Sequence, residues 1–430
     1  MYEIDLLNYI TYQRSVHNKK DLHEVLLLAK TTPGLVNHLP MIDDVIIWFD
    51  WAFSNYANTD EINWFWFDFV NMVLQRYAGL FDVELSAADN LVSNLFWRFF
   101  KSPLLNNIHT SYGNNAIPLV FLGRGGARSY YTLPPTLHRP LAIIHLPRAA
   151  LNNVWRWNIL AHETGHDIFF CVEDLSREIS ALTASVAYDA LRLGIVKYPP
   201  VSAFLEVNGR PTQIHITEEQ FVIFLWEMWA NEIFADLFSV LMCGPASVFT
   251  LQEVIGFGAE GPWHLVSGPD SHPLPLLRNL LNISFLRHLG FTDYSQMLEH
   301  RLLLRTGGQL QDLRWVFNGR TEIARVNINQ FIPLLDLVTS ALLNTPLKSL
   351  NNHSLRQIAN FSYEDQAIVD FLVNVILRGG SPSPKTEARH LVAAAQLAFV
   401  GFPGSSDLVH SRVIHMLAGL PEEFVPLLPH

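Results

Sequence analysis

The sequence predicts a mainly helical α+β protein with one small sheet. Three observations carry that prediction. Apolar residues recur at three- and four-residue spacing from Tyr2 to Phe100 and again after Pro147, the period of a helix that buries one face. Between Ile117 and Pro147 the texture changes to short apolar runs bounded by glycine and proline, as in strands. Finally, 49% of the 430 residues are hydrophobic and only 16% charged, enough apolar material for about three domain-sized cores and too much for a disordered chain.

The first helical segment breaks at Thr32-Pro33-Gly34 and around Asn58-Thr59-Asp60. Its aromatic stripe, Trp48, Phe49, Trp51, Phe53, Trp64, Phe65, Trp66, Phe67 and Phe69, reads as core rather than as a binding groove. Ile117–Leu122, Ser129–Leu133 and Leu141–Leu146 are the expected strands, with Gly123-Arg-Gly-Gly126 as a hairpin turn between the first two. That turn lacks the lysine and the spacing of a phosphate-binding loop. After Pro147 the chain reads as helix, interrupted by loops near Tyr198 to His215 and Gly256 to Pro273. Gly379-Gly-Ser-Pro-Ser-Pro384 sets off the last helices, which begin near Glu387. The expected organisation is therefore a helical aromatic-rich region (1–110), a central region (111–300) holding the sheet at 117–146 and the motifs described below, and a helical C-terminal region (301–430).

Charge and cysteine content narrow the function classes. With 29 basic and 40 acidic residues the formal charge is −11, and no basic patch offsets it, so a nucleic-acid or anionic-membrane partner is not expected. Cys171 and Cys243 cannot build a disulfide framework, and Met1-Tyr-Glu-Ile-Asp lacks the features of a signal peptide; the expected setting is reducing and cytoplasmic. The most apolar windows, Ile62–Phe81 and Phe221–Met242, carry Asp68 and Arg76, and Glu227, Glu232 and Asp236, respectively. Such charges are costly in lipid, so both windows read as buried helices and no transmembrane segment is expected.

One motif stands out: His162-Glu163-Thr164-Gly165-His166, in an apolar run after the last expected strand, on a helix expected at about 151–171. Residues four apart on a helix are separated by about 40° around its axis, so two imidazoles can reach one ion. The intervening Glu163 faces the neighbouring side, where it can take a proton from a metal-activated water. A catalytic zinc site wants three protein ligands, so one more is needed. Positions 169 and 172 are Phe and Val, which removes the metzincin continuation. The best candidates lie on a helix expected at about 218–243, capped by Thr217 and Gln220 and stopped by Gly244-Pro245. Glu232 and Asp236 share one face of it, so one carboxylate can bind the metal while the other receives the N–H of a ligating imidazole. Glu227 falls on another face and reads as solvated or paired with an arginine. Glu173, Asp174 and Glu178 are rival ligands, but an extension of the motif helix would carry them away from the metal. Ser271-His272-Pro273, with Arg278 six residues on, reads as a helix start whose His272 and Arg278 face the cleft and stabilise an oxyanion.

Together, His162-Glu-x-x-His166, Glu232-x-x-Ala235-Asp236 and His272-Pro273 with Arg278 resemble the gluzincin metallopeptidases. They are most similar to the prenyl-protein (CAAX) endopeptidase and heat-shock membrane protease family, while Asn231 before Glu232 resembles the thermolysin branch. The resemblance covers roughly residues 140 to 280 and lacks that family's transmembrane helices. It implies a zincin-like catalytic core with one Zn²⁺ per chain held by His162, His166 and Glu232. It further implies Glu163 as general base, Asp236 as the group behind the ligands, and His272 and Arg278 as transition-state contacts. The expected function is a zinc-dependent metallopeptidase acting on a peptide or protein substrate, laid along an edge strand at 117–122 or 141–146. Rival expectations are a non-catalytic helical interaction protein that retains zinc, and a zinc hydrolase of a non-peptide amide.

Overall fold

A computed structural model describes residues 19–55, 60–79, 81–106, 108, 110, 117–122, 130–136, 140–198, 201–207, 210–255, 264–266, 272–308, 310, 312–317 and 321–420. The expected Gly123–Gly126 turn and Ser271 lie outside these residues. Three helices, α1 (Lys19–Thr31), α2 (Leu39–Asn55) and α3 (Asp60–Tyr77), form an aromatic layer. Phe49, Phe65, Trp66 and Phe69 are buried there, with Phe49 and Phe65 stacked at 4.8 Å, whereas Trp51 is exposed. The layer covers one face of a three-stranded sheet through Leu119, Phe121, Leu141 and Ile143.

That sheet contains β1 (Leu119–Leu122), β2 (Tyr131–Leu133) and β3 (Ile143–Leu146), in the order β1-β3-β2. The expected hairpin between the first two strands does not form: β3 lies between them, parallel to β1 and antiparallel to β2. Burial is in keeping with the order. β1 and β3 are buried at every position, with His145 the one polar side chain in them, and β3 takes the centre, whereas β2 is the more exposed of the two edge strands. The 141–146 segment is therefore central and offers no edge to a peptide; the 117–122 segment does lie at an edge, where the Gln75, Arg76 and Asp89 side chains bond the backbone of Val120 and Leu122, and β2 forms the other edge.

Beyond the sheet lies α4 (Asp82–Phe100), and two 3₁₀ turns, Arg148–Asn152 and Val154–Arg156, precede α5 (Ile159–Cys171). The motif helix thus starts later than expected. It also ends at Cys171, because Val172 is extended and Asp174 adopts the left-handed conformation (φ 62°) before α6 (Leu175–Arg192) begins. Next, β4 (Val201–Val207) pairs with β5 (Arg210–Ile216) where a loop was expected. The long helix α7 (Glu218–Cys243) has the expected Thr217/Gln220 capping box. It stops at Gly244, whose φ of 58° and close approach to Phe361, 2.3 Å from where a Cβ would sit, admit only glycine.

The remaining elements are α8 (Pro245–Val254), β6 (His264–Val266), α9 (Pro275–His288), α10 (Thr292–Arg305), β7 (Leu313–Phe317), β8 (Thr321–Val326), α11 (Ile328–Asn344), α12 (Leu355–Ile358), α13 (Tyr363–Arg378), α14 (Ala388–Gly401) and α15 (Ser406–Ala418). Strands β6, β7 and β8 make a second three-stranded sheet that the helical reading after Pro147 does not contain. The fold is mainly helical nonetheless. A single apolar cluster runs from Leu85 to Leu417, with α4 packed on α14 and α15, and α5 sandwiched between α4 and α7. Among the described residues no helix is long and apolar enough to cross a membrane.

Candidate metal centre

The site is built where α5 crosses α7. Gly165 permits that crossing: a Cβ there would lie 2.9 Å from the Ala235 Cα and 3.1 Å from the Phe238 Cβ, so the two backbones meet directly. Beside the crossing, His162 and His166 face Glu232. Their Nε2 atoms are 3.1 Å apart, and each lies close to one Glu232 oxygen, at 3.5 Å for His162 and 3.4 Å for His166. All three side chains are buried, and their ligand atoms lie within 4.8 Å of one another, a cluster that can hold a metal ion.

Each histidine is fixed from behind. His162 Nδ1 approaches Asp236 Oδ1 at 2.9 Å, and His166 Nδ1 shares a 2.7 Å hydrogen bond with Asn231 Oδ1. Asp236 is itself held: Arg278 donates to it from Nε (2.9 Å) and Nη2 (2.7 Å), and Asn282 Nδ2 donates at 3.0 Å. Arg278 Nη1 lies 3.2 Å from Glu232 Oε2. Arg278 is therefore buried and spends its donors on the carboxylates of α7 instead of reaching into an open cleft. His272 is different. Its side chain is 57% exposed and its Nε2 lies 3.3 Å from Glu232 Oε1, while α9 starts at Pro275 and not at Pro273.

The charges are strongly coupled. Burial opposes protonation of His162, but Asp236 and Glu232 outweigh it and raise its pKa to about 10, whereas burial and the His162 charge push His166 down to about 4. Burial also opposes ionisation of Glu232, yet Arg278 and the histidines hold its carboxyl well below the usual range; Asp236, similarly placed, falls to about 2. Glu163 is buried between the histidines. Desolvation pushes it up to about 7, with Glu232 adding to the shift and His162, Arg278 and His272 resisting it.

The rivals lie elsewhere. Glu178 accepts hydrogen bonds from the Lys348 and Ser349 backbone, Asp174 pairs with Arg177, and Glu173 and Glu227 are exposed. The geometry adds three residues that sequence reasoning did not assign roles: Asn231, Asn282 and Asp167. Asn282 lies four residues after Arg278 on one helix face, a spacing that would have flagged it. Asn231, singled out in the sequence only for its resemblance to the thermolysin branch, precedes Glu232 by one residue and holds His166.

Two imidazoles and one carboxylate are the donor set of a catalytic zinc site, which takes three protein ligands, whereas structural zinc is closed by four. No family model, curated protein or solved structure matches this chain.

Proposed function

We propose that this chain is a zinc-dependent metallopeptidase of gluzincin type. The observation that carries the reading is the convergence of His162, His166 and Glu232 beside a buried Glu163. A structural metal site has no use for a base, and a buried carboxyl poised near neutrality suits proton transfer. Two buried thiols, Cys171 and Cys243, support the reducing, cytoplasmic setting.

In this reading His162, His166 and Glu232 hold one zinc ion, which supplies Lewis acidity to polarise a carbonyl and acidify water. Asp236 and Asn231 keep the imidazole Nε2 atoms turned inward, and Arg278 keeps Asp236 and Glu232 ionised. Glu163 takes the proton that water loses as its oxygen adds to the scissile carbonyl carbon. It returns that proton to the amide nitrogen as the C–N bond breaks. His272, exposed at the margin of the cluster, donates to the oxygen on which negative charge develops. The substrate is an extended peptide or unfolded protein segment that adds to the edge of the sheet at β2.

Two measurements test this. Purified protein supplied with zinc should carry about one ion per chain. Glu163→Gln should retain that zinc and its thermal stability while hydrolysing a diverse peptide library about 10²- to 10⁴-fold more slowly. A zinc-loaded wild type that cleaves nothing the Glu163→Gln protein leaves whole would sink the peptidase reading; cleavage confined to small amides would move it to an amidohydrolase.

A further inference from the structure

Asp167 follows the second histidine of α5 and is wholly buried, yet it is not among the three converging donors. Its two carboxylate oxygens instead accept from the Thr132 hydroxyl, at 3.0 and 3.1 Å. Thr132 is the middle residue of β2, an edge strand of its sheet. A buried carboxylate is costly unless it is well bonded, and a bond to a charged acceptor is stronger than a neutral one. An apolar pair would pack the same space more cheaply.

The placement of β2 gives the contact a purpose. Strand residues alternate in direction: Tyr131 stacks on His145 at 3.9 Å and Leu133 packs toward the α1–α3 layer, so Thr132 between them faces α5. β2 packs along α5, the helix that carries the motif, and Thr132–Asp167 is a hydrogen-bonded pair between them.

We propose that Asp167 is a positioning residue which, through the Thr132 hydroxyl, holds the edge strand β2 against the stretch of α5 that carries the motif. Four residues of that stretch then have three duties: His162 and His166 face the metal, Glu163 faces the scissile bond, and Asp167 fixes the strand on which a peptide backbone is laid. The tether stands independently of any chemistry; its effect on KM rests on the peptidase reading above.

The test uses the full chain with zinc added. Thr132→Val keeps the shape and removes the hydroxyl, Thr132→Ser keeps the hydroxyl, and Asp167→Asn keeps a weaker acceptor. Amide hydrogen exchange at residues 131–133, read by mass spectrometry, should quicken about tenfold in Thr132→Val, less in Asp167→Asn, and stay near wild type in Thr132→Ser. For a cleaved extended peptide, KM should rise about tenfold in Thr132→Val with kcat within about twofold and zinc content unchanged, and Ser should restore KM. Unchanged exchange in Thr132→Val overturns the tether; if that variant does not fold, unchanged exchange in Asp167→Asn does so. A fall in kcat at constant KM also overturns it, by placing Thr132 in the chemistry. Quickened exchange in a protein that cleaves nothing would instead leave the tether standing and remove the peptidase.

Discussion

Two of the buried charge clusters among the described residues are treated differently. Arg76 and Asp89, each with a side chain only 2% exposed, close upon one another. Asp89 Oδ2 accepts from Arg76 Nε (3.2 Å) and Nη2 (2.5 Å), Oδ1 accepts from the Val120 N–H (2.9 Å), and Arg76 gives its other bonds to the Met72 and Val120 carbonyls. Every polar group has a fixed partner, and the pair ties α3, α4 and β1 together. At the metal centre, Arg278 and Asp236 are matched in the same way, but the groups beside them are not. Two imidazole nitrogens lie 3.1 Å apart with a carboxylate at 3.4 to 3.5 Å, an arrangement suited to sharing one cation. Charge that closes on itself holds a fold, and charge that converges on a point makes a site.

Arg76→Met breaks the closed side of this comparison and carries the largest expected effect on stability. It leaves Asp89 buried without its countercharge, a loss of about 3–5 kcal/mol, while the folded fraction should still bind zinc at the wild-type stoichiometry. Chemical denaturation with parallel metal analysis reads both. Pairing the change with Asp89→Leu should restore much of the loss. If Arg76→Met abolished zinc binding in folded protein, the two charge clusters would be one coupled unit and the contrast between them would fail.

How much of this was legible in the sequence depended on the distance over which each decision is made. The motif on α5 and the limits of α7 were legible because a four-residue spacing, the Thr217/Gln220 cap and the Gly244 stop act within a turn or two. The partners of Arg278 were not: its bonds to Asp236 span 42 positions, and no local pattern encodes which carboxylate a distant arginine meets. The order β1-β3-β2 is likewise set by which strands can be covered on both faces, a property of the assembled layers. The two hairpins were missed for a different reason. Asn208-Gly209 lies between β4 and β5 in the sequence and Asn318-Gly319 between β7 and β8, and Asn-Gly between two runs of strand-like residues is the strongest short-range hairpin signal. The first reads as a loop and the second as helix, because apolar helices flank both.

The convergent side can be sharpened by pH. In the metal-free fold His162 has its pKa raised to about 10 by the carboxylates beside it, so near neutrality it carries a proton that a metal must displace. His166, pushed down to about 4, is already neutral there and releases none. Zinc affinity should therefore rise about tenfold per pH unit from pH 7 to 9 and flatten near 10, with about one proton released per ion. Competition with a chelator of known affinity measures the first, and calorimetry in buffers of different ionisation heat the second. Affinity independent of pH over that range would mean that His162 is not held as an imidazolium, and the difference between the two histidines would disappear.

The smallest effect belongs to Glu178, the acidic residue that in sequence competes with Glu232 for the third ligand position. The structure assigns it to neither kind of charge cluster. It lies on α6, half-buried, and accepts from the Lys348 and Ser349 backbone N–H groups at 3.2 and 3.0 Å and from the Ser349 hydroxyl at 2.7 Å, capping the 3₁₀ turn Lys348–Leu350. Glu178→Gln keeps one acceptor oxygen and turns an amide against donors, so it should cost about 1 kcal/mol, discounted for its partial exposure to solvent. Zinc stoichiometry and affinity should not move, since the helix turns abruptly at Asp174 and carries Glu178 off the axis of α5. Denaturant unfolding and chelator competition on the same preparation separate the two quantities. A variant of unchanged stability that had lost zinc would place the third ligand on α6 and leave Glu232 as the structural carboxylate, reversing the assignment of α7.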